Sequence, residues 1–550
     1  MRRSFFSRVA PMATAALYLA IFPGCDRPKT IAGTKTRQAA NSHGLTPTKE
    51  SVADKPNSSV KRSRSVLGAF DLDPKPVAFL LLTGQQDGHL EPCGCSEGQK
   101  GGLARRLDLI HKLEKRKTPI LKFDLGSLIQ DPAAARGGEE EEKIKFGIAL
   151  KSLKIMGYDA LALSADDLKV GVDTALVNFL DLGDRPRVLA ANVFAEGDLD
   201  KAFARSLRLT AGPLKIGVTA VLDPPALEVL RDDPGKASLI VKDPLEVLRA
   251  VLKDLEKNTD FQVLLVQESR PTTLGLPLKA PKKAEELAKA LPGFDIVVAT
   301  SEVPDPDREP MRLNDGKTLL IQVGRKGEYA GLVGLSRDKK EPMRYRLVEL
   351  DTTFDKTTEA MRVLVDEEFQ QSLKNAGVVE NFTRHAFMHG ANRAEFVGAR
   401  TCKECHPKTY FKWVSTKHAR AYESLIANPR RDRRHDAECV SCHTTGFEYE
   451  SGFRSEESTA YLKGNQCENC HGAGSLHSRE PDNVAFRKAM ALTTERADQS
   501  RLCLRCHDPD NSPNFKPEKY HPQIAHKGLD SYDDPKVHKG IVPGKAEAKP

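Results

Sequence analysis

Short, nearly continuous apolar runs recur along the first two thirds of the chain and predict buried β-strands. Strands that are covered on both faces have this pattern, because neither side of the strand meets water. The runs are VAFLLLT (77–83), PILKFDLG (119–126), ALALS (160–164), RVLAANVF (187–194), LKIGVTAV (214–221), QVLLVQ (262–267), DIVVAT (295–300) and LLIQVG (319–324).

Amphipathic segments between these runs predict helices. Segments 102–113 and 145–157 each place four apolar residues on one helical face, and 243–258 begins with an acidic first turn. Alternation of strands and helices is typical of an α/β domain with a largely parallel sheet. We therefore predict such a domain over residues 76–350.

The pattern changes in the last third of the chain. Residues 351–395 predict a helical connector. From 396 to 527 the strand signal disappears, polar residues dominate, and eight of the eleven cysteines are found there. This segment predicts a mainly α domain that needs something other than apolar side chains for its core. Residues 528–550, rich in Lys, Gly and Pro, predict a loose tail.

The first 25 residues resemble an export signal. A basic start is followed by an apolar run over 9–22, which has the length of a signal core and is too short to span a membrane. Cys25 follows a small residue and is a candidate for lipidation, which would anchor the protein to a membrane surface. The alternative is ordinary cleavage nearby. Residues 26–75 predict a flexible linker.

The expected location is therefore outside the cytoplasm, in the periplasm or anchored to a membrane and facing the periplasm or the cell exterior. Lys and Arg number 84 against 76 acidic residues, a net charge of +8. This excess is modest for 550 residues, and no basic stripe with interleaved aromatic residues accompanies it. We expect no nucleic-acid partner.

One short motif recurs in the cysteine-rich segment. Cys-x-x-Cys-His occurs at 402–406, 439–443, 467–471 and 503–507, more often than composition would give by chance. It is the attachment sequence of c-type haem: two thiols bond to the haem vinyl groups, and the adjacent histidine binds the iron. Zinc sites and disulfide frameworks are alternatives, but neither requires a histidine after every second cysteine.

The motifs assign haem-binding residues directly and predict four covalently bound c-type haems. The thioether cysteines are Cys402, Cys405, Cys439, Cys442, Cys467, Cys470, Cys503 and Cys506. The proximal iron ligands are His406, His443, His471 and His507. The favoured distal ligands are His418, His477 and His526, and the further candidates are His385, His389, His435 and His521.

The same segment resembles the tetrahaem cytochrome c-554 family. The resemblance rests on VGARTCKECHPKTYFKWVSTKHARAYESL, CVSCHTTGFEYESGF, CENCHGAGSLH, and CLRCH with PQIAH. It implies three haems with two histidine ligands each, and an open face on the haem of His443. It also implies electron transfer in nitrogen oxidation and related respiration, with some relatives reducing small nitrogen oxides. His435 could close the open face.

The first half resembles 5′-nucleotidase-like metallophosphoesterases, but most positions of the family's two-metal site carry other residues. LLTGQQDGHLEP, KFDLGSLI and MGYDALALSADDLKVGVD carry the likeness. The positions that hold metal ligands in the family are here Gln85, Asp87, Ser127, Ala165, Asp166, Gln267, Thr300, Ser301, Glu302 and Val303. Neutral amides and alkyl groups are poor ligands for such ions. We predict this shape without the dinuclear site, the alternative being a rebuilt site of Asp87, His89 and Asp166.

Cys93 and Cys95 form a further feature, in the loop after the first strand. They are a candidate redox or metal pair, or two ordinary loop thiols. With Cys25 and the eight motif cysteines they account for all eleven.

The sequence therefore predicts an exported tetrahaem c-type cytochrome that exchanges electrons with a partner redox protein, and not primarily an enzyme. One alternative is a haem enzyme acting on a small nitrogen compound at an open iron. The other is a metal-dependent phosphoesterase with a haem accessory domain.

Overall fold

The computed structural model describes residues 67–92, 98–230, 233–268, 282–356, 358–428, 431–492 and 501–530. The predicted signal segment with Cys25, the pair Cys93 and Cys95, and most of the predicted linker and tail lie outside the described residues. Within those ranges, no helix combines the length and the apolar character that crossing a membrane requires.

Strands occupy mainly the first two thirds of the described chain. They are β1 Ala78–Thr83, β2 Ile120–Asp124, β3 Ala160–Ala162, β4 Arg187–Leu189, β5 Val193–Ala195, β6 Leu207–Ala211, β7 Leu214–Leu222, β8 Leu239–Val241, β9 Phe261–Gln267, β10 Ile296–Ala299, β11 Met311–Leu313, β12 Thr318–Gln322, β13 Tyr329–Leu335, β14 Met343–Glu349, β15 Phe387–His389 and β16 Asn392–Ala394.

Twelve of these strands form two six-stranded sheets, in the orders β14-β13-β1-β2-β3-β4 and β11-β12-β10-β9-β7-β6. The consecutive pairs from β1 to β4 are parallel, as are the pairs of β10 with β12, β10 with β9 and β7 with β9. Antiparallel strands complete the sheets: β13 and β14 beside β1, β6 beside β7 and β11 beside β12. Each sheet is thus mixed and mostly parallel, which confirms the predicted class.

Helices follow the strands in the first half and dominate the last third. They are α1 Leu103–Glu114, α2 Gly138–Ile155, α3 Val172–Asp181, α4 Pro244–Leu255, α5 Lys282–Ala290, α6 Glu359–Arg362, α7 Phe369–Ala376, α8 Ala399–Lys403, α9 Pro407–Val414, α10 Ala437–His443, α11 Glu456–Thr459, α12 Cys467–His471, α13 Ser475–Arg479, α14 Val484–Met490 and α15 Pro517–Ile524.

The two sheets pack face to face between layers of helices. Leu80 of β1 and Val263 of β9 belong to one apolar cluster between the sheets. Phe79 of β1 instead belongs to the cluster that contains Ile110 of α1. Val297 of β10 packs in a third cluster with the helices of the other outer layer. Both faces of the central strands are covered, which explains their continuous apolar sequences.

One predicted strand, 187–194, is divided in the structure into β4 and β5. Asn192 lies between them, and its side chain donates to Leu222 O (2.8 Å) and to Lys242 O (3.0 Å). Its Oδ1 accepts from the Leu222 amide (3.0 Å). These buried hydrogen bonds turn the chain out of the first sheet, so a continuous strand is wrong here.

The connector and the last third contain little sheet. Residues 351–395 include α6, a π-helical turn Val363–Glu368 and α7, followed by the hairpin of β15 and β16. Beyond the hairpin the described chain forms only short helices. Val440 of α10 and Phe447 belong to the same apolar cluster as Phe146 of α2, so the two halves share a core.

Candidate haem sites

All four Cys-x-x-Cys-His motifs lie on short helical turns. The first motif begins at the end of α8, the second and third lie in α10 and α12, and the fourth begins within the 3₁₀ turn Leu502–Arg505. The amide of His406 donates to Cys402 O (2.9 Å), and that of His507 donates to Cys503 O (2.8 Å). The first cysteine and the histidine are thus one helical turn apart. All eight motif cysteines are free thiols, so nothing here supports a disulfide framework.

Three motif histidines each face a second histidine from elsewhere in the domain. The ring centroids of His406 and His477 are 6.4 Å apart. Those of His507 and His418 are 6.0 Å apart, and those of His471 and His526 are 5.8 Å apart. The three partners are the histidines that the sequence favoured as distal ligands, each now matched with one motif.

This spacing fits an iron atom between each pair of rings. A metal–imidazole bond is about 2 Å long, which places the centroids of two opposed rings about 6 Å apart. Rings in direct stacking contact lie closer, as the centroids of His507 and Phe515 do at 4.3 Å. The pairs therefore leave room for a haem plane between the two imidazoles.

The second ring nitrogen of the motif histidines is held by hydrogen bonds. Nδ1 of His443 lies 2.6 Å from Ala421 O, and Nδ1 of His471 lies 2.7 Å from Met490 O. Nδ1 of His507 lies 3.0 Å from Ser512 Oγ. An Nδ1–H that donates to a carbonyl leaves Nε2 as the lone-pair nitrogen, which is the form that binds a metal.

The distal histidines also suit ligation. Burial lowers the pKa of both His418 and His477, which favours the neutral imidazole that a metal requires. Nδ1 of His477 is buried without a hydrogen-bond partner. A buried ring nitrogen without a partner is costly, and an iron bond to that nitrogen would satisfy it.

The four further candidates belong to none of these ring pairs. Nε2 of His389 lies 2.9 Å from Ala473 O, and the backbone of His385 pairs with that of Glu448 (3.0 Å). His435 is half-buried near Asp432, and His521 lies on α15. The structure thus favours the first three distal candidates over these four.

Motif cysteines from different motifs lie side by side. The thiols of Cys402 and Cys467 shift each other's pKa, as do those of Cys442 and Cys506, because the two sulfurs of each pair are close together. The thiol of Cys470 has its pKa raised to about 11, by burial and then by the neighbouring thiol of Cys503. With haem attached, these sulfurs would be thioethers on haem rims. Motifs one and three, three and four, and four and two are therefore neighbours.

His443 lines a large cavity between the two halves of the described structure. The cavity measures about 1310 Å³, and Cys439 and Cys442 also form part of its wall. The opposite wall comes from the α/β half and includes His89 and Arg325. An adjoining cavity of about 760 Å³ is lined by residues of motifs three and four and shares Cys442 and Cys506 with the first. No local pattern in the sequence indicates that the α/β half meets the second motif.

The α/β half also touches this motif directly. Arg136 donates to Cys442 Sγ (3.5 Å), to Arg505 O (2.9 Å) and to the Asp508 carboxylate (2.9 Å). The guanidinium thus lies between the second and fourth motifs. Sequence reasoning missed Arg136, because only the packing of the two halves brings it to these motifs.

The replaced positions of the phosphoesterase site interact with one another. Gln85 Nε2 donates to Ser301 O (2.8 Å), and the Ser301 amide donates to Gln85 Oε1 (2.5 Å). Asp87 is ion-paired with Arg325 (2.9 Å), and Asp166 is ion-paired with Lys169 (3.2 Å). Neutral amides and paired carboxylates occupy this edge of the sheets.

Within the described ranges, three metal-type ligands approach one another within 4.8 Å in one place only, at Glu141, Asp436 and Glu438. The ammonium of Lys145 lies among them, 3.0 Å from Glu141 and 2.8 Å from Glu438. A cation is therefore already present in that cluster. Asp87, His89 and Asp166, the alternative metal set, do not form such a group.

Comparison with known proteins agrees with the motifs. Residues 401–472 match the family described as Cytochrome c554 and c-prime. Cytochrome c-554 of Nitrosomonas europaea is 37% identical over 93 residues, which are 15% of this chain and 40% of that protein. The chain thus spans less than half the length of this curated relative.

The solved structures similar to this chain include a 5′-nucleotidase and a calcineurin-like phosphoesterase. A 5′-nucleotidase precursor from Thermus thermophilus has a TM-score of 0.44 at 18% identity, covering 61% of this chain and 66% of that one. A calcineurin-like phosphoesterase from Bacillus subtilis has a TM-score of 0.42 at 16% identity, covering 54% of this chain and 98% of that one.

Residues 401–472 thus match the cytochrome c554 family model, as the resemblance predicted, and that family implies covalently bound c-type haem. The first half is an α/β fold with two mixed, mostly parallel sheets.

Proposed function

We propose that the protein is an exported tetrahaem cytochrome that transfers electrons between its haems and a partner redox protein. The observation that carries the proposal is the set of three histidine pairs, each with a motif histidine on one side and centroids 5.8 to 6.4 Å apart. Two strong nitrogen ligands favour electron transfer over substrate chemistry, because both axial positions of the iron are taken.

The neighbouring sulfurs support a continuous path through four haems. Motif one adjoins motif three through Cys402 and Cys467, and motif four adjoins motif two through Cys506 and Cys442. Motifs three and four meet at Cys470 and Cys503. The proposed order is therefore one, three, four, two. Haem supplies the one-electron chemistry, and the chain sets ligands and spacing.

Hydrogen bonds from the surrounding residues orient the histidine ligands and hold the motifs in place. Ala421 O and Met490 O hold the rings of His443 and His471 in one orientation, so the ligand set changes little between oxidation states. Glu468 accepts from the amides of Gly398 (2.7 Å) and Gly474 (2.8 Å), which fixes the third motif against the first. A rigid ligand frame suits repeated electron transfer.

The proposed location follows from the chemistry and from the N-terminal sequence. Haem of the c type is attached outside the cytoplasm, and residues 1–25 resemble an export signal. A lipid on Cys25 would keep the protein at a membrane surface, where a redox partner can reach it.

The experiment that tests the proposal uses two matched variants of the haem-loaded protein. Cys503→Ser/Cys506→Ser removes the fourth-motif haem from the middle of the proposed path, and Cys439→Ser/Cys442→Ser removes the second-motif haem from its end. After rapid partial reduction, spectra should show slow equilibration among haems in the first variant only. A small oxidised c-type cytochrome should reoxidise the unmodified protein fully. Failure of that reoxidation would contradict the proposal.

A second candidate function is favoured by the cavity at His443. A haem held there would lie within a space of about 1310 Å³ that polar side chains of both halves line. Such a site suits a haem enzyme acting on a small nitrogen compound. The phosphoesterase alternative finds less support, since Gln85 and Ser301 bond to each other and Asp87 is paired with Arg325.

A further inference from the structure

The cavity beside the second motif is built by both halves of the molecule. Cys439, Cys442 and His443 come from the haem half, and His89 and Arg325 from the α/β half. Its wall also includes His418, Cys506 and His507 of the fourth motif's pair, and its volume is about 1310 Å³. Part of this space is therefore available to something besides the polypeptide.

His89 is held firmly at the wall of this cavity. The amide of Asp87 donates to Ser127 O (3.0 Å), that of Gly88 to Leu128 O (2.9 Å) and that of His89 to Gln86 O (2.9 Å). A side chain on Gly88, whose φ is +74°, would come within 3.0 Å of a carboxylate oxygen of Glu142. The loop therefore has one close-packed arrangement, and its glycine lets the chain turn there.

The ring of His89 is surrounded by protein but keeps accessible surface. Its neighbours Asp87, Gly88 and Leu90 are buried, whereas His89 is half-buried and lines the cavity. Burial lowers its pKa, so the imidazole is neutral at neutral pH. A neutral imidazole carries one N–H donor and one acceptor nitrogen.

The charged groups that act on His89 are each paired with an opposite charge. Glu438, which affects the pKa of His89 more than the other charges do, is bound by Lys145 (2.8 Å). Asp510 pairs with Lys326, and Asp87 pairs with Arg325 (2.9 Å). Charge near the ring is thus balanced, which disfavours a charged ligand and favours an uncharged one.

Ion pairs between the halves hold the wall in place. Glu91, two residues after His89, binds Arg431 (2.7 Å) and Arg433 of the haem half. Arg136 binds Asp508 (2.9 Å), and Gln99 donates to Asp510 O (2.8 Å). These contacts surround the cavity, so His89 keeps a fixed position relative to the second motif.

We infer that His89 is a positioning residue for a small uncharged molecule that binds the iron of the haem held by His443. The α/β half would then serve as the distal wall of a haem pocket, in place of a phosphoesterase site. This inference rests on the proposed function, because it requires the haem on the second motif.

Carbon monoxide is the probe, applied to the dithionite-reduced, haem-loaded protein. The variants are His89→Ala, His89→Gln, which keeps a donor, and His111→Ala, a histidine of the α/β half outside the cavity wall. We expect carbon monoxide on one haem of the unmodified protein. In His89→Ala the infrared C–O stretch should shift, and carbon monoxide release should become about five- to tenfold faster, the worth of one hydrogen bond. The C–O stretch and the release rate of His89→Gln should lie between those of His89→Ala and the unmodified protein. His111→Ala should match the unmodified protein in both.

Equal stretches and release rates in His89→Ala and the unmodified protein would overturn the inference. It would also be overturned if the unmodified protein bound no carbon monoxide, including the case in which His89→Ala gains binding because His89 itself ligates the iron. Haem content by the pyridine assay is measured on every sample. Absent haem defeats the proposed function, whereas full haem content without an effect of His89 defeats only this inference.

Discussion

The imidazoles of His418 and His507 face each other with their centroids 6.0 Å apart, although they come from opposite ends of the haem half. His507 belongs to the fourth motif, and His418 follows the first motif, in the 3₁₀ turn after α9. The fold thus brings a histidine near the first motif to the candidate iron ligand of the fourth. The pairs His406–His477 and His471–His526 repeat this crossing of motifs.

Replacing His418 by Ala should therefore alter the haem of the fourth motif and leave the first-motif haem intact. The iron loses a strong axial ligand, so one haem should change from low spin to high spin and gain carbon monoxide binding. Electron paramagnetic resonance of the oxidised protein and carbon monoxide difference spectra measure both effects. His521→Ala is the control. An unchanged spectrum in His418→Ala would contradict the assigned pair.

Haem attachment should depend on the motif cysteines alone. Cys467→Ser/Cys470→Ser should lower the pyridine haemochrome count by one haem per chain, because both vinyl bonds are lost. Cys93→Ser/Cys95→Ser should leave the count unchanged, since those cysteines lack a following histidine. A lower haem count in the second variant would mean that this pair takes part in haem attachment.

Lys145 should be one of the most important charged residues for stability. Its ammonium, nearly inaccessible to solvent, binds the carboxylates of Glu141 (3.0 Å), Glu142 (2.9 Å) and Glu438 (2.8 Å). Lys145→Met leaves buried carboxylates without their cation and should lower the free energy of unfolding by about 3–5 kcal/mol. Chemical denaturation of the haem-loaded protein measures this change.

Lys143→Met is the matched control for that variant. Lys143 pairs with Glu139 at 2.7 Å on the same helix, but both side chains are far more exposed. Its loss should cost less than about 1 kcal/mol, as for other surface pairs. Equal effects of the two substitutions would show that the buried cluster does not hold the halves together.

Added metal ions should not create phosphoesterase activity. The positions of the family's ligands carry Gln85 and Ser301, which bond to each other, and Asp87, which is paired with Arg325. Mn²⁺, Zn²⁺ or Ca²⁺ should therefore give no hydrolysis of a nucleotide monophosphate, with or without chelator. Turnover that appears with metal and disappears with chelator would revive the phosphoesterase alternative.

Much of the fold could be predicted because buried strands have continuous apolar sequences. β1 and β9 follow this rule closely. β13 was missed although every residue of it is buried, because Gly331 and Gly334 interrupt the apolar run. Packing explains these glycines: a Cβ on Gly334 would lie 2.9 Å from the ring of Phe70. Such contacts between distant segments leave no local pattern.

The haem sites, too, could be predicted only in part from the sequence. The motif cysteines and histidines follow from local spacing, and the distal histidines could be proposed as candidates. Which distal histidine serves which motif depends on the fold, as the pair His418 and His507 shows. His89 and Arg136 could not be placed at the second motif from sequence, because only the docking of the two halves brings them there.

We propose four haems in the last third of the chain, three of them held between two histidines. The most direct measurement is a pyridine haemochrome assay combined with electron paramagnetic resonance of the oxidised protein, matured in an export-competent host that attaches haem. We expect four haems per chain, with low-spin signals from three. Fewer than four haems, or high-spin signals from the haems of the three histidine pairs, would contradict it.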